Sequence, residues 1–225
     1  NENGTPYTPF YSDEQIEGTK KHLNPYAFPD NDWYHMLFRN YSINRDLNLN
    51  VTGGSRYLDY FLNAALSDEN GIVKQPSDDP YNVQDNFKKF LFQSNITANI
   101  TKTTKVSLKM NTQLMYNHRP YASINDLFYY TMRANPVRFP ATLPAQKGDT
   151  YVRYGNNETW DTGNTDLNPY ALLSKGYGQR YSSYFTSVFS IDQALDFITK
   201  GLSFNALASS YNYTYSGNYR SFTPF

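Results

Sequence analysis

The chain has 225 residues, with 20 basic and 20 acidic side chains, so its net charge offers no general attraction to nucleic acid or anionic lipid. Cysteine is absent, which excludes disulfides and thiolate metal sites. No run of about 18 apolar residues is present, so no transmembrane helix is predicted. The mean hydropathy of -0.69 still permits a transmembrane β-barrel, because such a barrel needs only every second strand residue to be apolar.

Residues 1–41 are predicted to form a loop with short helices. Ser12 and Gln15 have the spacing of a capping box, which predicts a short helix through Glu17 that ends at Gly18. Asp32 can cap a following turn. No secretory signal peptide is visible, and Asn1 is not typical of a natural start.

The stretch from residue 42 to residue 67 predicts a β-hairpin. Apolar and polar residues alternate with a period of two, which is typical of strands with one apolar face. Between the two strands lies Gly53-Gly54-Ser55, and glycine supplies the positive φ that tight hairpin turns favour. The sequence therefore predicts the turn at these three residues. The apolar positions of the two strands are Leu47, Leu49, Val51, Leu58, Tyr60, Leu62, Ala64 and Leu66.

The same alternation predicts two further hairpins, with short turns at 101–105 and 196–201. Near Ser209 the apolar positions shift by one residue to Tyr211, Tyr213 and Tyr215. A β-bulge or an interfacial band of tyrosines would produce such a shift. The apolar positions of these hairpins include Phe90, Phe92, Ile96, Leu108, Leu114, Phe185, Phe189, Ile191, Phe204 and Ala208.

Long connections are predicted at 68–86 and 117–179, and residues 216–225 are predicted to start another loop. The longer connection contains a helix that begins at Ser123 and ends before Asn135-Pro136. Short turns at one end of the strands and long loops at the other are typical of outer-membrane barrels, in which the long loops are extracellular. Residues 42–215 are thus predicted to form six strands in three hairpins.

The two faces of these strands predict two environments. Six strands cannot close a barrel around a useful lumen, so the predicted fold is part of a large antiparallel transmembrane β-barrel. The alternative is a secreted, soluble β-sandwich that binds glycans and buries its apolar faces against a second sheet. The residues predicted to face lipid are Leu47, Leu49, Val51, Leu58, Leu62, Phe92, Ile96, Leu108, Phe189 and Ile191. The polar residues predicted to face the lumen are Asn48, Asn50, Asn95, Asn99 and Asn111.

Four aromatic residues of the longest loop are candidate ligand contacts, although such residues also pack the small cores of long loops. The acid pairs in the loops, such as Asp78 with Asp79, are predicted to be solvated, so no enzymatic activity is expected. The three histidines are far apart in sequence, and neither a metal nor a cofactor is predicted. The candidate aromatic residues are Tyr151, Tyr154, Trp160 and Tyr177.

Several segments, in order along nearly the whole chain, resemble the SusC family of TonB-dependent outer-membrane transporters of Bacteroidetes. One of them is Pro25–Tyr34 (PYAFPDNDWY) and another is Asp196–Phe204 (DFITKGLSF). Several matches in the right order are more specific than any single one. The other similar segments are Asn48–Ser55, Tyr60–Leu66 followed by Asn70–Ile72, Ile100–Lys105 and Asn168–Leu173.

The resemblance implies a 22-stranded barrel with an N-terminal plug that imports oligosaccharides or peptides. It also implies a SusD-like surface lipoprotein that acts as a lid, and a TonB complex that pulls on the plug. By this resemblance residue 1 falls in the first extracellular loop, and residues 42–215 supply the second to seventh strands. The plug, the TonB box and most later strands would belong to the rest of the polypeptide, and outer-membrane lipid would surround the wall.

Overall fold

A computed structural model describes residues 9–77, 79, 81–155, 168–221 and 223. Six strands form one antiparallel sheet, and their order in the sheet is their order along the chain. Within the described residues, the first and last strands each pair on one side only. This open sheet fits a piece of a β-barrel. The strands are β1 Arg45–Gly54, β2 Leu58–Asn70, β3 Asn86–Asn99, β4 Thr104–Pro120, β5 Gly176–Ala194 and β6 Ser203–Ser221.

The sheet contradicts the sandwich alternative. A sandwich needs a second sheet packed on the apolar face of the first. All six strands of the described ranges belong to a single sheet, and Leu47 and Phe189 on its apolar face are 54% and 46% exposed. The apolar face is therefore uncovered by any other part of the described chain.

Among the described residues, four short helices lie outside the sheet: α1 Asp13–Lys20, α2 Trp33–Leu37, α3 Ile124–Arg133 and α4 Pro169–Leu173. The predicted N-caps at Ser12, Asp32 and Ser123 are confirmed, because each side chain accepts a hydrogen bond from the backbone N–H three residues later. The prediction that α1 ends at Gly18 was wrong. This glycine lies inside the helix, where its missing side chain leaves room for the ring of Phe28. Every helix in the described ranges is too short or too polar to cross a bilayer.

The first short turn differs from the prediction. Gly53 and Gly54 lie in β1 and pair with Tyr60 and Asp59, and neither has a positive φ. The turn itself follows at residues 55–57 and is closed by Ser55, whose N–H donates to Leu58 O at 2.7 Å. Gly53 has a different role, since a Cβ there would lie 2.4 Å from the Tyr60 hydroxyl oxygen and the Tyr60 side chain would have to move.

The other two short turns are also closed by their own side chains. Thr101 Oγ1 accepts hydrogen bonds from the N–H groups of Thr103 and Thr104. Asp196 Oδ1 accepts from the N–H of Gly201 at 2.8 Å, and Gly201 has a φ of 82°. A positive φ favours glycine, so here the turn chemistry does demand that residue.

The long connections meet at the opposite end of the sheet and form the core of the described chain. They span residues 71–85 and 121–175, somewhat shorter than predicted, because the flanking strands are longer. Strand β6 likewise continues to Ser221, beyond the predicted limit at residue 215. Together with the segment that precedes β1, these connections bury nine apolar side chains in one cluster. We call it the loop cluster, and its members are Trp33, Leu37, Phe38, Val73, Val83, Leu127, Phe139, Ala141 and Leu173.

Candidate functional site: two sheet faces and a loop cluster

One face of the sheet is apolar and exposed. In an antiparallel pair, residues directly opposite each other point to the same face. One row of such partners runs from Leu49 through Ala64, Phe92 and Thr112 to Phe185 and Asn212. All ten residues predicted to face lipid lie on the face of this row, and Leu49 is 61% exposed.

The apolar residues cross this face obliquely. In β1 they centre on Leu49, and the row of partners from Leu49 reaches Asn212 in β6. In β6 the apolar residues on the same face centre on Ala206, so the band has moved from residue 212 to residue 206, toward the short turns. The band thus shifts by six residues along the strands, at about 3.3 Å each, while it crosses five spacings between strands, at about 4.8 Å each. The ratio of these two distances gives a slope of roughly 40° from the perpendicular to the strands. We call this feature the oblique apolar band.

The opposite face is more polar. The five asparagines predicted to face a lumen all lie on it, and Asn50 pairs with Asn63 while Asn95 pairs with Lys109. Thr97 and Ser107 contact each other there through their hydroxyls at 3.1 Å. We call this side the polar face.

The three tyrosines of β6 lie on the polar face. The pairing of β5 with β6 runs without interruption from Gly176 with Ser221 to Ala194 with Ser203, so the predicted bulge is absent. The other predicted explanation was an interfacial band of tyrosines, which would require side chains that face lipid, whereas the partners of Tyr211, Tyr213 and Tyr215 are polar-face residues of β5. The opposite side of β6 is polar from Ser210 onward, since this part of the strand lies beyond the oblique apolar band.

A cluster that was not predicted from the sequence lies next to these tyrosines. The Arg180 guanidinium carbon lies 5.4 Å from the centre of the Tyr215 ring, and its Nη2 donates to the Tyr219 hydroxyl at 3.1 Å. The rings of Tyr184 and Tyr213 lie 4.6 Å apart. The spacing of two residues between tyrosines on one strand was the available signal, because it places their side chains on a common face.

The aromatic residues predicted as ligand contacts have separate surroundings. Tyr177 lies in β5 rather than in the loop, and its ring stacks on His118 at 5.3 Å. The ring of Tyr154 lies 6.4 Å from that of Tyr170, and Tyr151 is 52% exposed. Trp160 lies outside the described residues.

Two loop carboxylates have shifted pKa values for different reasons. The backbone N–H and the ring of His35 hydrogen bond to Asp32 and lower the pKa of that carboxyl. Burial raises the pKa of Asp85, against the opposing charges of Arg119 and His118. Asp32 acts as a helix cap, and Asp85 lies where the loop enters β3.

The described loops hold few groups that could bind a metal ion. Asp149 forms an ion pair with Arg153 at 3.1 Å and accepts a hydrogen bond from the N–H of Gln146. Over the described ranges, no three His, Asp or Glu side chains come together in a way that could hold a metal ion. Asp78, one of the loop acids considered above, lies outside those ranges.

Comparisons with known proteins give two partial similarities, and no protein-family model matches the chain. The chain is 23% identical over 171 residues to TonB-dependent receptor P26 of Formosa agariphila, which covers 75% of this chain and 15% of that protein. It is 28% identical over 128 residues to a probable alpha-mannosidase of Arabidopsis thaliana, covering 54% of this chain and 12% of that protein. The chain thus spans only a small part of either relative. The first similarity supports a distant relation to TonB-dependent receptors.

Proposed function

We propose that the chain is part of the wall and outer loops of a SusC-like TonB-dependent transporter in the outer membrane. The transporter would import oligosaccharides or peptides together with a SusD-like surface lipoprotein. The similarity to a TonB-dependent receptor supports this proposal, and it covers more of the chain than the similarity to the mannosidase. The proposed role is transport, without catalysis and without a cofactor.

The observation that carries the proposal is the oblique apolar band. Strands of transmembrane barrels tilt by about 35–45° from the membrane normal. When the strands tilt from the membrane normal, a band of lipid contact that is parallel to the membrane plane departs from the perpendicular to the strands by the same tilt angle. The oblique apolar band has a slope of roughly 40°, which matches the strand tilt of transmembrane barrels.

The polar face would then line the lumen, and the loop cluster would lie outside the cell. Polar side chains such as Asn50 and Asn95 would meet water and passing substrate. The plug and the contact with the TonB complex would come from other parts of the polypeptide. In this arrangement β5 and β6, with 19 residues each, extend well above the bilayer, because about 9–11 tilted residues are enough to cross it.

The lipoprotein partner is supported by the outer side of α3. Leu127 is fully buried in the loop cluster, whereas Phe128 and Met132 on the other side of the helix are 48% and 63% exposed. Exposed apolar side chains grouped on one helix face are typical of protein contacts. We expect this helix face to contact the lipoprotein lid.

Growth of the native host tests the transport proposal. Deleting the gene should abolish growth on at least one polysaccharide or peptide source and leave growth on glucose unchanged. Expression of the full-length gene should restore that growth, and loss of TonB should have the same effect as the deletion. Equal growth of the mutant and the parent strain on every polymer supplied would refute the proposal.

Co-purification tests the partner. Changing Phe128 and Met132 to Glu in the full-length transporter should release a lipoprotein that otherwise co-purifies in detergent. Ile198→Glu provides the control, because Ile198 is 64% exposed in a short turn at the other end of the sheet. A lipoprotein that is retained by the helix variant would show that this face of α3 is not its contact.

A further inference from the structure

Two tyrosines of β6 lie over glycines on the polar face. A Cβ at Gly178 would lie 2.7 Å from Cε1 of Tyr219, and a Cβ at Gly217 would lie 3.0 Å from the Tyr215 hydroxyl oxygen. The Tyr219 ring therefore occupies the space that a side chain at Gly178 would need, and the Tyr215 hydroxyl would have to move by a few tenths of an ångström to admit a Cβ at Gly217. Because the tyrosines rest on bare backbone on one side, their exposed surface is directed away from the sheet. Tyr215 and Tyr219 are 48% and 49% exposed.

Arg180 lies between the two tyrosines and orders them. Its partner across the sheet is Gly217, and it contacts the Tyr215 ring and the Tyr219 hydroxyl as described above. A guanidinium has five N–H donors in a fixed plane, so its hydrogen bonds to the hydroxyls of Tyr219 and Tyr215 leave donors for a ligand. We call Arg180, Tyr215 and Tyr219 the tyrosine platform.

The platform lies beyond the oblique apolar band, at the end of the sheet where the long loops are. On β6 the apolar side chains of the other face end at Ala208, and Tyr215 follows seven residues later in the chain. Seven residues of strand correspond to about 23 Å along β6. The platform is therefore well separated from the region that would contact lipid, and on the face that the proposed function assigns to the lumen.

We infer that the tyrosine platform is a subsite for the sugar rings of an oligosaccharide at the outer entrance of the lumen. This inference rests on the proposed function and narrows its substrate to saccharides. The C–H groups on the face of a pyranose ring suit the electron-rich face of tyrosine. The remaining donors of Arg180 suit the hydroxyls at the rim of the same ring.

The source of the polar atoms in the platform and the spacing of its two tyrosines favour a sugar ligand over a peptide. Peptides that bind to sheets usually add a strand and place alternate side chains in pockets. The polar atoms of the platform come from side chains, and in the closed barrel of the proposed function β6 would pair with a further strand on its other side, so it would offer a peptide no free backbone edge. The Cα atoms of Tyr215 and Tyr219 are about 13 Å apart along the strand, a distance that an oligosaccharide of a few rings can span.

Calorimetry on the full-length transporter with its lipoprotein tests the inference. The probes are hexasaccharides of glucose, xylose and galacturonic acid, and a tryptic digest of casein. At least one hexasaccharide should bind, and Tyr215→Ala or Tyr219→Ala should each raise its Kd about tenfold, equal to about 1.4 kcal/mol. Gly178→Ala should raise Kd severalfold while the protein still folds, because the added methyl group displaces only the Tyr219 ring.

The matched control is Tyr181→Ala. Tyr181 is 41% exposed on β5 but points to the apolar face, so its loss should leave Kd unchanged. The inference is overturned if no hexasaccharide binds, or if the Kd of a bound hexasaccharide is the same in both tyrosine variants. Binding and import of casein peptides alone would also overturn it, although the proposed transporter would stand.

Discussion

Replacing Leu49 with Arg tests which face of the sheet contacts lipid. Leu49 lies at the centre of the apolar band in β1 and is 61% exposed. An arginine on the lipid side of a barrel costs about 2–4 kcal/mol near the bilayer midplane. At about 1.4 kcal/mol per factor of ten, the ratio of assembled to unassembled protein should fall by a factor of about 30 to 700. We expect this loss for the full-length transporter.

Asn50→Arg is the matched control for this substitution. Asn50 is the next residue of the same strand, is also exposed, and points to the polar face, where water would solvate the new charge. The assembled fraction of each variant can be measured by heat-modifiable electrophoresis of outer membranes, and the urea midpoint by refolding into lipid vesicles. Equal losses for the two variants, or no loss for Leu49→Arg, would refute the assignment of the apolar face to lipid.

Three further outcomes are expected. In intact cells a membrane-impermeant maleimide should label Thr150→Cys, and it should label Lys102→Cys only after permeabilisation; the reverse result would invert the proposed orientation. Leu127→Ala should destabilise the loop cluster by about 2–5 kcal/mol, which would be measured as faster hydrogen exchange of the amides of the cluster. Phe128→Ala, at an exposed site, is its control, and equal exchange rates in the two variants would contradict the assignment of Leu127 to the core. Asp32→Ala should destabilise the same cluster by about 1 kcal/mol. Because the pKa of Asp32 is lowered, this difference in stability between the variant and the parent protein should hold above pH 3.8 and disappear as the pH falls below it. A difference in stability that persists in acid would exclude the ionised carboxylate of Asp32 as its cause.

Much of the strand pattern could be predicted because each strand signals its faces locally. Alternation along single strands placed Leu47, Leu108 and Phe189 on one common face, although they come from three different hairpins. Helix α3 was also predictable, since Ser123 supplies a cap and Asn135-Pro136 ends the helix. These features depend on neighbours within a few residues.

Features that depend on distant residues were not predictable in this way. The loop cluster joins side chains from the segment before β1 and from both long connections, and no local pattern connects Phe38 with Val73 or Leu173. The crowding at Gly53 comes from the Tyr60 side chain on the neighbouring strand, and not from the turn. The face of the sheet on which the β6 tyrosines lie follows from the uninterrupted pairing of β6 with β5. The apolar pattern of β6 alone does not reveal this pairing.

The three short turns have a consequence for biogenesis. Each is closed by a side chain of its own, namely Ser55, Thr101 or Asp196, so the strand pairing of each hairpin is decided by residues close together in the chain. Hairpins of this kind form in about 1–10 μs, faster than contacts between distant segments. A slip of one residue would turn every side chain of a strand to the wrong side. In the proposed transporter, the chain would therefore be able to enter the membrane two strands at a time, with each pair already correctly aligned.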